Sequence, residues 1–195
     1  MDNKIFAVFD EQNLRIYQAY GDTIADEAVR IGTFGDSFKL NRMTWIKPSF
    51  LWMMYRSGWG EKEGQNRILA IDIKRTGFDF IVKNAVSSSF SPTNFDTYEQ
   101  WKNALKKSEV RCQWDPERDI YGNPLKQRTI QLGIKGSILK SYVYDWIVKI
   151  LDITHEVKNI KKAIELNNYA ENMLPQEKEY CIALRKQEWS VTPYA

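Results

Sequence analysis

An α+β domain is the fold class that the sequence predicts, and three observations lead to it. Segments with strand-like alternation and segments with helical periodicity mix along the chain, without the regular alternation of a doubly wound parallel sheet. No internal repeat or domain linker interrupts them. A chain of 195 residues fits one domain, which can bury about 70% of its unfolded surface without a disulfide or a metal. We therefore predict a single domain over residues 1–195, with its core at about 4–175 and a peripheral tail after Pro175.

Five segments are predicted as β-strands because apolar and polar residues alternate along them or because β-branched residues are enriched in them. In chain order they are residues 14–20, 67–74, 110–114, 128–134 and 146–153. The third strand leads into a dense polar stretch at residues 115–119, where Pro116 and the charged residues around it predict a turn.

Helices are predicted between these strands where apolar residues recur every three or four positions. Thr23 lies where it can cap the first helix, and Gly32 follows its last residue. Pro48 fits the first turn of the second helix, and Gly58 and Gly60 follow its end. In chain order the predicted helices are residues 24–31, 48–56, 77–86, 98–107 and 138–143, followed by one or two surface helices after His155.

Composition excludes several classes of protein. The net charge of +3 is too small to argue for nucleic-acid binding by itself. No charge-free run of about twenty apolar residues exists, and the first residues lack a signal-peptide core, so we expect no membrane segment. Cys112 and Cys181 each stand without a second cysteine nearby, which is typical of a reducing compartment. We therefore predict a cytoplasmic protein.

The single histidine, His155, excludes further mechanisms. A His-rich zinc site and the zinc-protease helix motif need more histidines, so no histidine-based metal site is predicted. A Ser-His-Asp or Cys-His enzyme would depend entirely on His155, which lies at the start of a polar predicted helix, where surface histidines are common. No arrangement of glycines matches a dinucleotide fingerprint or a phosphate-binding loop.

Residues 42–59, RMTWIKPSFLWMMYRSGW, form the first candidate site. Arg42, Lys47 and Arg56 lie among apolar and aromatic residues, although such cations are almost never fully buried unless they are paired. No carboxylate lies within the segment, so the partner comes from a distant part of the chain or from an anionic ligand. A helix beginning there would also offer free N–H groups to a phosphate, with Lys47 and Ser49 beside its end. In the alternative, the cations extend to solvent from an ordinary core helix.

A second candidate site is residues 113–119, QWDPERD, which follow a predicted strand. Its carboxylates could supply an acid/base group or a metal-binding turn. The alternative is a structural turn in which Arg118 neutralises its neighbours.

The third candidate site is the pair Gln18 and Gln131, each within a predicted strand. A buried glutamine that lacks a partner costs about 1–3 kcal/mol, so a partner or a ligand is expected if these side chains point inward. The alternative is that both simply face water.

Three strings resemble the family catalogued as domain of unknown function 4291. They are IYQAY at residues 16–20, the segment 42–59 and QWDPERD at residues 113–119. The resemblance covers about residues 4–175, and the segment 42–59 is its most specific part. The family name implies no activity.

The order of motifs is also similar to that of DarT-type ADP-ribosyltransferases, which modify DNA. Those proteins have a Tyr-His-type motif on a first strand, a short helix with glycine, an Arg-containing segment ending in Met-Leu-Tyr, a Gly-Gln before a strand, and a catalytic Glu on a late strand. The matching pieces here are Tyr17 and Gln18, Gly32, residues 42–55, Gly64 and Gln65, and Gln131. Gln18 and Gln131 thus stand in place of His and Glu. The resemblance implies an ADP-ribosyltransferase-like α+β fold with a mixed or antiparallel split sheet and flanking helices.

This second resemblance implies a protein that uses NAD as a substrate, with nucleic acid as a candidate acceptor. Arg42 and Lys47 would hold the pyrophosphate, an aromatic ring would stack on a base, and Glu117 would stabilise the oxocarbenium-like charge. The catalytic residues predicted in this way are Glu117, Gln131 and Arg42, and the NAD-binding residues are Tyr17, Gln18, Arg42, Trp45, Lys47, Ser49 and Tyr55. The alternative function is a non-catalytic nucleic-acid-binding module that uses the same cations and aromatic residues.

Overall fold

A computed structural model of the protein describes residues 3–182, and in that part of the chain nine β-strands and six α-helices form one α+β domain. The prediction of a single α+β domain is therefore confirmed. The strands are β1 (Ile5–Ala7), β2 (Asn13–Tyr20), β3 (Thr44–Ile46), β4 (Arg67–Lys74), β5 (Val86–Ser87), β6 (Val110–Arg118), β7 (Pro124–Ile134), β8 (Ile147–Asp152) and β9 (Lys178–Tyr180). The helices are α1 (Asp22–Ile31), α2 (Phe50–Ser57), α3 (Arg75–Lys83), α4 (Tyr98–Lys107), α5 (Gly136–Ser141), which continues into a π-helical turn (Tyr142–Trp146), and α6 (Thr154–Glu165). None of these helices is both long and apolar enough to cross a membrane.

The strands form three small sheets. The first has the order β2-β4-β8 and is antiparallel throughout. The second has the order β3-β7-β6-β5 and is antiparallel except for the parallel pair of β5 and β6. The third pairs β1 with β9. Within residues 3–182 the first two sheets are joined by a bridge between Tyr17 and Lys47, where the Tyr17 N–H donates to the Lys47 carbonyl oxygen at 2.7 Å.

The central strand β4 separates two hydrophobic clusters. Leu69 and Ile71 point into the larger cluster, which includes the inner faces of the two main sheets and α5. Ile68 and Ala70 point the other way, into a smaller cluster formed with α2 and α6. Because both faces of β4 are covered, its sequence is almost continuously apolar, as is usual for a strand that is buried on both sides.

The predicted turn at residues 115–119 is wrong, because β6 continues to Arg118 and β7 begins at Pro124. Pro116 is tolerated in β6 because β5 pairs only with the start of that strand, which leaves one edge free of a partner strand farther along. The register also shifts between Pro116 and Arg118, as at a β-bulge. The turn itself is organised by Asp119, whose carboxylate accepts hydrogen bonds from the N–H groups of Tyr121 and Asn123.

The segment after Pro175, predicted to be peripheral, belongs to the fold as far as the structure describes it. β9, near the end of the described chain, pairs with β1, near its start. Tyr180 of β9 is buried in the larger cluster. Strands of three residues, such as β1, β3 and β9, are too short for alternation to reveal them in a sequence.

Candidate functional site

A cleft of about 650 Å³ lies where β2, β3, β7 and α2 meet, and it is the main candidate for a binding site. Arg42 and Gln131, two of the three predicted catalytic residues, both line it. Gln18, Trp45 and Lys47 also line it, which brings together five of the nine predicted site residues. Tyr17, Ser49, Tyr55 and Glu117 are not among the residues that line it.

Within residues 3–182 the cleft is lined by four cations, Lys39, Arg42, Lys47 and Arg56, and by one carboxylate, that of Glu63. Among residues 3–182 none of the four cations forms an ion pair. Unpaired cations around a concave surface favour an anionic ligand, since charge-assisted hydrogen bonds are about twice as strong as neutral ones.

Lys47 is the most buried of these cations, with only 6% of its surface exposed. Its ammonium group lies 5.2 Å from the centre of the Trp52 ring, and its backbone is held by the bridge to Tyr17. Burial, reinforced by the positive charge of Arg56, lowers the pKa of Lys47 to about 8, while Asp115 acts in the opposite direction. The amine of Lys47 is therefore closer to its neutral form than an ordinary lysine at neutral pH.

Gln18 is held in a fully satisfied buried network, with 3% of its surface exposed. Its amide nitrogen donates to Thr44 Oγ1 at 3.1 Å and to the Trp45 carbonyl oxygen at 3.0 Å. Its amide oxygen accepts a hydrogen bond from the Tyr142 hydroxyl at 2.8 Å. The expected partner of Gln18 is thus the protein itself, and this side chain fixes β3 and the π-helical turn against β2.

Gln131 differs from Gln18, because its amide oxygen is left free. Its amide nitrogen donates to Asp115 Oδ2 at 2.6 Å and to Gln113 Oε1 at 3.1 Å. In the part of the chain that the structure describes, no donor reaches its Oε1 atom. Gln131 therefore presents a hydrogen-bond acceptor on the cleft wall, with Asp115 fixing its orientation.

Trp45 and Met43 lie over β7 because Gly133 makes room for them. A Cβ atom at Gly133 would lie 2.7 Å from Met43 Sδ and 3.0 Å from the Trp45 ring. Any side chain there would displace Trp45, so this glycine sets the shape of the aromatic wall of the cleft.

The N-terminus of α2 is occupied by a carboxylate of the protein, not left open for a phosphate as the sequence suggested. Ser49 is the N-cap, and its hydroxyl accepts a hydrogen bond from Trp52 N–H at 3.2 Å. The Glu177 carboxylate accepts a hydrogen bond from Phe50 N–H at 2.7 Å. Burial raises the pKa of Glu177 to about 8, and the neighbouring Glu117 adds to that rise.

Glu117, which the sequence predicted as catalytic, lies beside Glu177 and is not among the residues that line the cleft. Its contacts with Ser49, Thr129 and the N–H of Arg118 place Glu117 beside the start of α2, where burial raises its pKa and these contacts lower it. The β6 carboxylate that contacts Gln131 on the cleft wall is that of Asp115, two residues before Glu117.

The two predicted stacking tyrosines have structural roles. Tyr17 is only 1% exposed and packs edge-on against Phe50 at 5.4 Å between ring centres. Tyr55 is 43% exposed, and the guanidinium of Arg118 covers its ring at 3.9 Å. The aromatic residues that line the cleft are Trp45 and Trp52 together with Tyr20 and Phe38.

Sequence reasoning missed Trp52, Tyr142 and Glu177 as parts of the site or of its support. Trp52 lines the cleft and its indole N–H is buried without an acceptor. Lys47 and Trp52 are five residues apart, a spacing that could have been noticed within segment 42–59. Nothing in the sequence links Tyr142 to Gln18 or Glu177 to Phe50, because those contacts depend on tertiary structure.

The fold and the cleft define a single-domain α+β protein with a cationic, aromatic-lined cleft between two small sheets. Among residues 3–182 no group of three or more His, Cys, Asp or Glu side chains is arranged to hold a metal ion. The chain belongs to the family described as Domain of unknown function (DUF4291), whose model matches residues 4–180. No curated protein matches it.

Proposed function

We propose that this protein is ADP-ribosyltransferase-like, uses NAD as a substrate and has nucleic acid as a candidate acceptor. One observation supports this above others: motif pieces that are far apart in sequence line a single cleft. Gln18, Arg42, Met53, Gln65 and Gln131 all lie on its wall. The resemblance to DarT-type transferases rests on the order of these pieces in the sequence, so their convergence in space is independent support.

The cleft has groups that suit a dinucleotide. Its volume of about 650 Å³ is in the range of small-molecule sites. Arg42, Lys47 and Arg56 offer positive charge to a pyrophosphate, and Arg can bind it with two hydrogen bonds at once. Trp45 and Trp52 offer aromatic surface for a base, and the free Oε1 of Gln131 can accept a hydrogen bond from a ribose hydroxyl.

The chemistry we propose is attack of an acceptor on the ribose carbon that carries nicotinamide, with departure of nicotinamide. Positive charge that develops on the sugar would be stabilised by Gln131 Oε1 and by the negative charge of Asp115 behind it. Asp115 and Gln131 thus take the role that the sequence assigned to Glu117.

The experiment incubates the protein with labelled NAD and with separate pools of DNA, RNA and protein. Label transferred to one pool, with release of nicotinamide, identifies both the activity and the acceptor. NAD that stays intact with every pool, in a folded protein, contradicts the proposal.

Arg42→Ala supplies the site-specific prediction, with Arg30→Ala as its matched control. Arg42 lines the cleft, whereas Arg30 is exposed in the last turn of α1 and does not line it. A charge-assisted phosphate contact is worth about 1.5–3 kcal/mol, so Arg42→Ala should weaken NAD binding by roughly 10- to 100-fold. Calorimetry with NAD should show no comparable loss of affinity for Arg30→Ala. An equal loss of affinity for both variants would contradict the assignment of Arg42 to the NAD site.

Nucleic-acid binding without transfer is the alternative function. It predicts affinity for single-stranded DNA or RNA that falls steeply with salt and does not respond to NAD. Salt-sensitive binding of this kind, in a protein that leaves NAD intact, would replace the transferase proposal.

A further inference from the structure

We infer that Lys47 is a nucleophile that captures an anionic aldehyde, such as an open-chain sugar phosphate, as an imine within the cleft. This goes beyond the proposed reaction with NAD, which needs Lys47 only as a cation.

The side chain of Lys47 is almost fully buried and lies at the wall of the cleft. Its carbonyl oxygen is held by Tyr17 N–H at 2.7 Å and Pro48 follows it, so the side chain leaves the backbone from a fixed point. The side chain of Lys47 then runs along the Trp52 ring, with Nζ at 5.2 Å from the ring centre. Lys47 is one of the residues that line the cleft. Within the described part of the chain, Nζ forms no ion pair and donates to no oxygen.

The charges that face the amine favour its reactive form. Only a neutral amine attacks a carbonyl carbon, and a buried lysine beside another cation is the usual way in which proteins obtain one. Arg56 on α2 supplies that cation, and Asp115 on β6 opposes it in part. With a pKa of about 8, about one-tenth of Lys47 is neutral at pH 7, compared with well under one-hundredth for an ordinary lysine.

The other cations of the cleft favour a ligand that carries negative charge. Arg42 and Arg56 line the same wall as Lys47 and are exposed, without a carboxylate partner in the described chain. Guanidinium groups bind phosphate with two parallel hydrogen bonds, so an aldehyde that carries a phosphate is held better than a neutral one. Gln131 Oε1 adds an acceptor for a hydroxyl group of the same ligand.

The proposed step is balanced without an oxidant or a reductant. The Lys47 nitrogen bonds to the carbonyl carbon, the carbon–oxygen π bond breaks, and the oxygen gains the proton that the nitrogen loses. Loss of one water molecule from this carbinolamine gives the imine, and addition of water reverses it. Arg42 and Arg56 hold the phosphate throughout and take no part in the bond changes.

Pyridoxal 5′-phosphate and pyridoxal form a matched pair of probes, since they differ by the phosphate. The full-length protein is incubated with each, the imine is reduced with borohydride, and the modified lysines are located by peptide mass mapping. We expect the phosphate-bearing probe to label Lys47 at least about tenfold faster than Lys39 at pH 7, because Lys39 lines the same cleft but is exposed. Pyridoxal should label Lys47 about tenfold more slowly than its phosphate does.

The pH profile and one variant complete the test. Labelling of Lys47 should level off above about pH 8. Lys47→Arg keeps the cation and should lose the selective adduct. If Lys47→Arg does not fold, the map of the wild-type protein decides alone. Labelling of Lys47 no faster than Lys39 overturns the inference, and equal labelling by both probes overturns the choice of an anionic ligand.

The result is separable from the proposed function. A protein that leaves NAD intact but traps pyridoxal phosphate selectively at Lys47 keeps this inference and loses the transferase proposal. A protein that transfers ADP-ribose but shows no selective adduct does the reverse.

Discussion

Burial favours the neutral form of two ionisable groups, Lys47 and Glu177, because it lowers the pKa of the lysine and raises the pKa of the glutamate. The pKa of the lysine falls to about 8 and that of the carboxyl group rises to about 8. Removing either group from water disfavours its charged form, and neither has an opposite charge close enough to reverse that effect. At pH 7 Glu177 is therefore mainly protonated, while Lys47 remains mainly charged but with a reactive neutral fraction.

Glu177→Gln should change how stability depends on pH. The pKa of Glu177 is raised in the fold, so its contribution to stability is fully present below about pH 4.5 and is lost as the pH rises through about 8. Glutamine does not titrate, so the variant should gain stability relative to the wild type across that window, by at most about 1.4 kcal/mol per pH unit. Urea unfolding at several pH values measures this difference. Glu156→Gln, at an exposed position of α6, is the control, and an equal trend in both variants would mean that Glu177 is not buried as a neutral acid.

Several residues that line the cleft could be singled out in the sequence because their side chains conflict with their surroundings. Arg42, Lys47 and Gln131 are polar within apolar runs, and each lines the cleft. Tyr17, Ser49 and Glu117 looked equally suitable in the sequence but serve the core and the start of α2. Residue type alone could not separate the two groups, because alternation gives the face of a strand and not what covers that face.

Among the elements, long segments with clear periodicity were predicted well. β4 and α4 have the predicted bounds, and β2 begins one residue before its predicted start. α2 begins at Phe50, two residues later than predicted, because Ser49 and not Pro48 ends the extended backbone before it. Capping geometry decides such boundaries, and a sequence with Pro and Ser in succession allows either start.

Ser49→Ala tests whether the start of α2 supports the cleft, and Thr97→Ala is its matched control. Each hydroxyl caps its helix by accepting a backbone N–H, from Trp52 at 3.2 Å in α2 and from Gln100 at 3.1 Å in α4. Loss of either cap should lower the free energy of unfolding by about 1 kcal/mol, as urea titration would measure. Only Ser49 lies two residues from Lys47, so only Ser49→Ala should weaken binding of pyrophosphate, by roughly threefold or more in calorimetry. Unchanged binding in both variants would show that the cap does not position the cleft.

At the scale of the whole molecule, the two described ends of the chain close the fold. β1 and β9 pair with each other, and Ile5, Ala7 and Tyr180 all belong to the larger hydrophobic cluster. The sequence predicted a peripheral segment after Pro175 because three-residue strands carry too little pattern and because contacts between distant segments leave no local signal. The single α+β domain could be predicted, since it depends on the longer elements.

Tyr180→Ala should destabilise the entire domain rather than release its end. The Tyr180 ring packs against Phe9 at 5.0 Å and Phe78 at 5.7 Å between ring centres, and its hydroxyl donates to Asp79 at 2.6 Å. Truncating a large buried aromatic side chain typically costs 3–5 kcal/mol, so the midpoint of urea unfolding should fall sharply while the transition stays a single one.

Tyr121→Ala is the control for that variant, because Tyr121 is 70% exposed at the turn between β6 and β7. Exposed substitutions usually change stability by about 0.5 kcal/mol or less. Tyr180→Phe keeps the ring and removes the hydroxyl, so it should fall between the two, at about 1–2 kcal/mol. A fall of equal size for Tyr180→Ala and Tyr121→Ala, or a separate early transition for Tyr180→Ala, would mean that β9 docks on a core that is already complete without it. If the larger and cooperative loss is found, the pairing of β1 with β9 is part of what holds the two main sheets, and hence the cleft between them, in one unit.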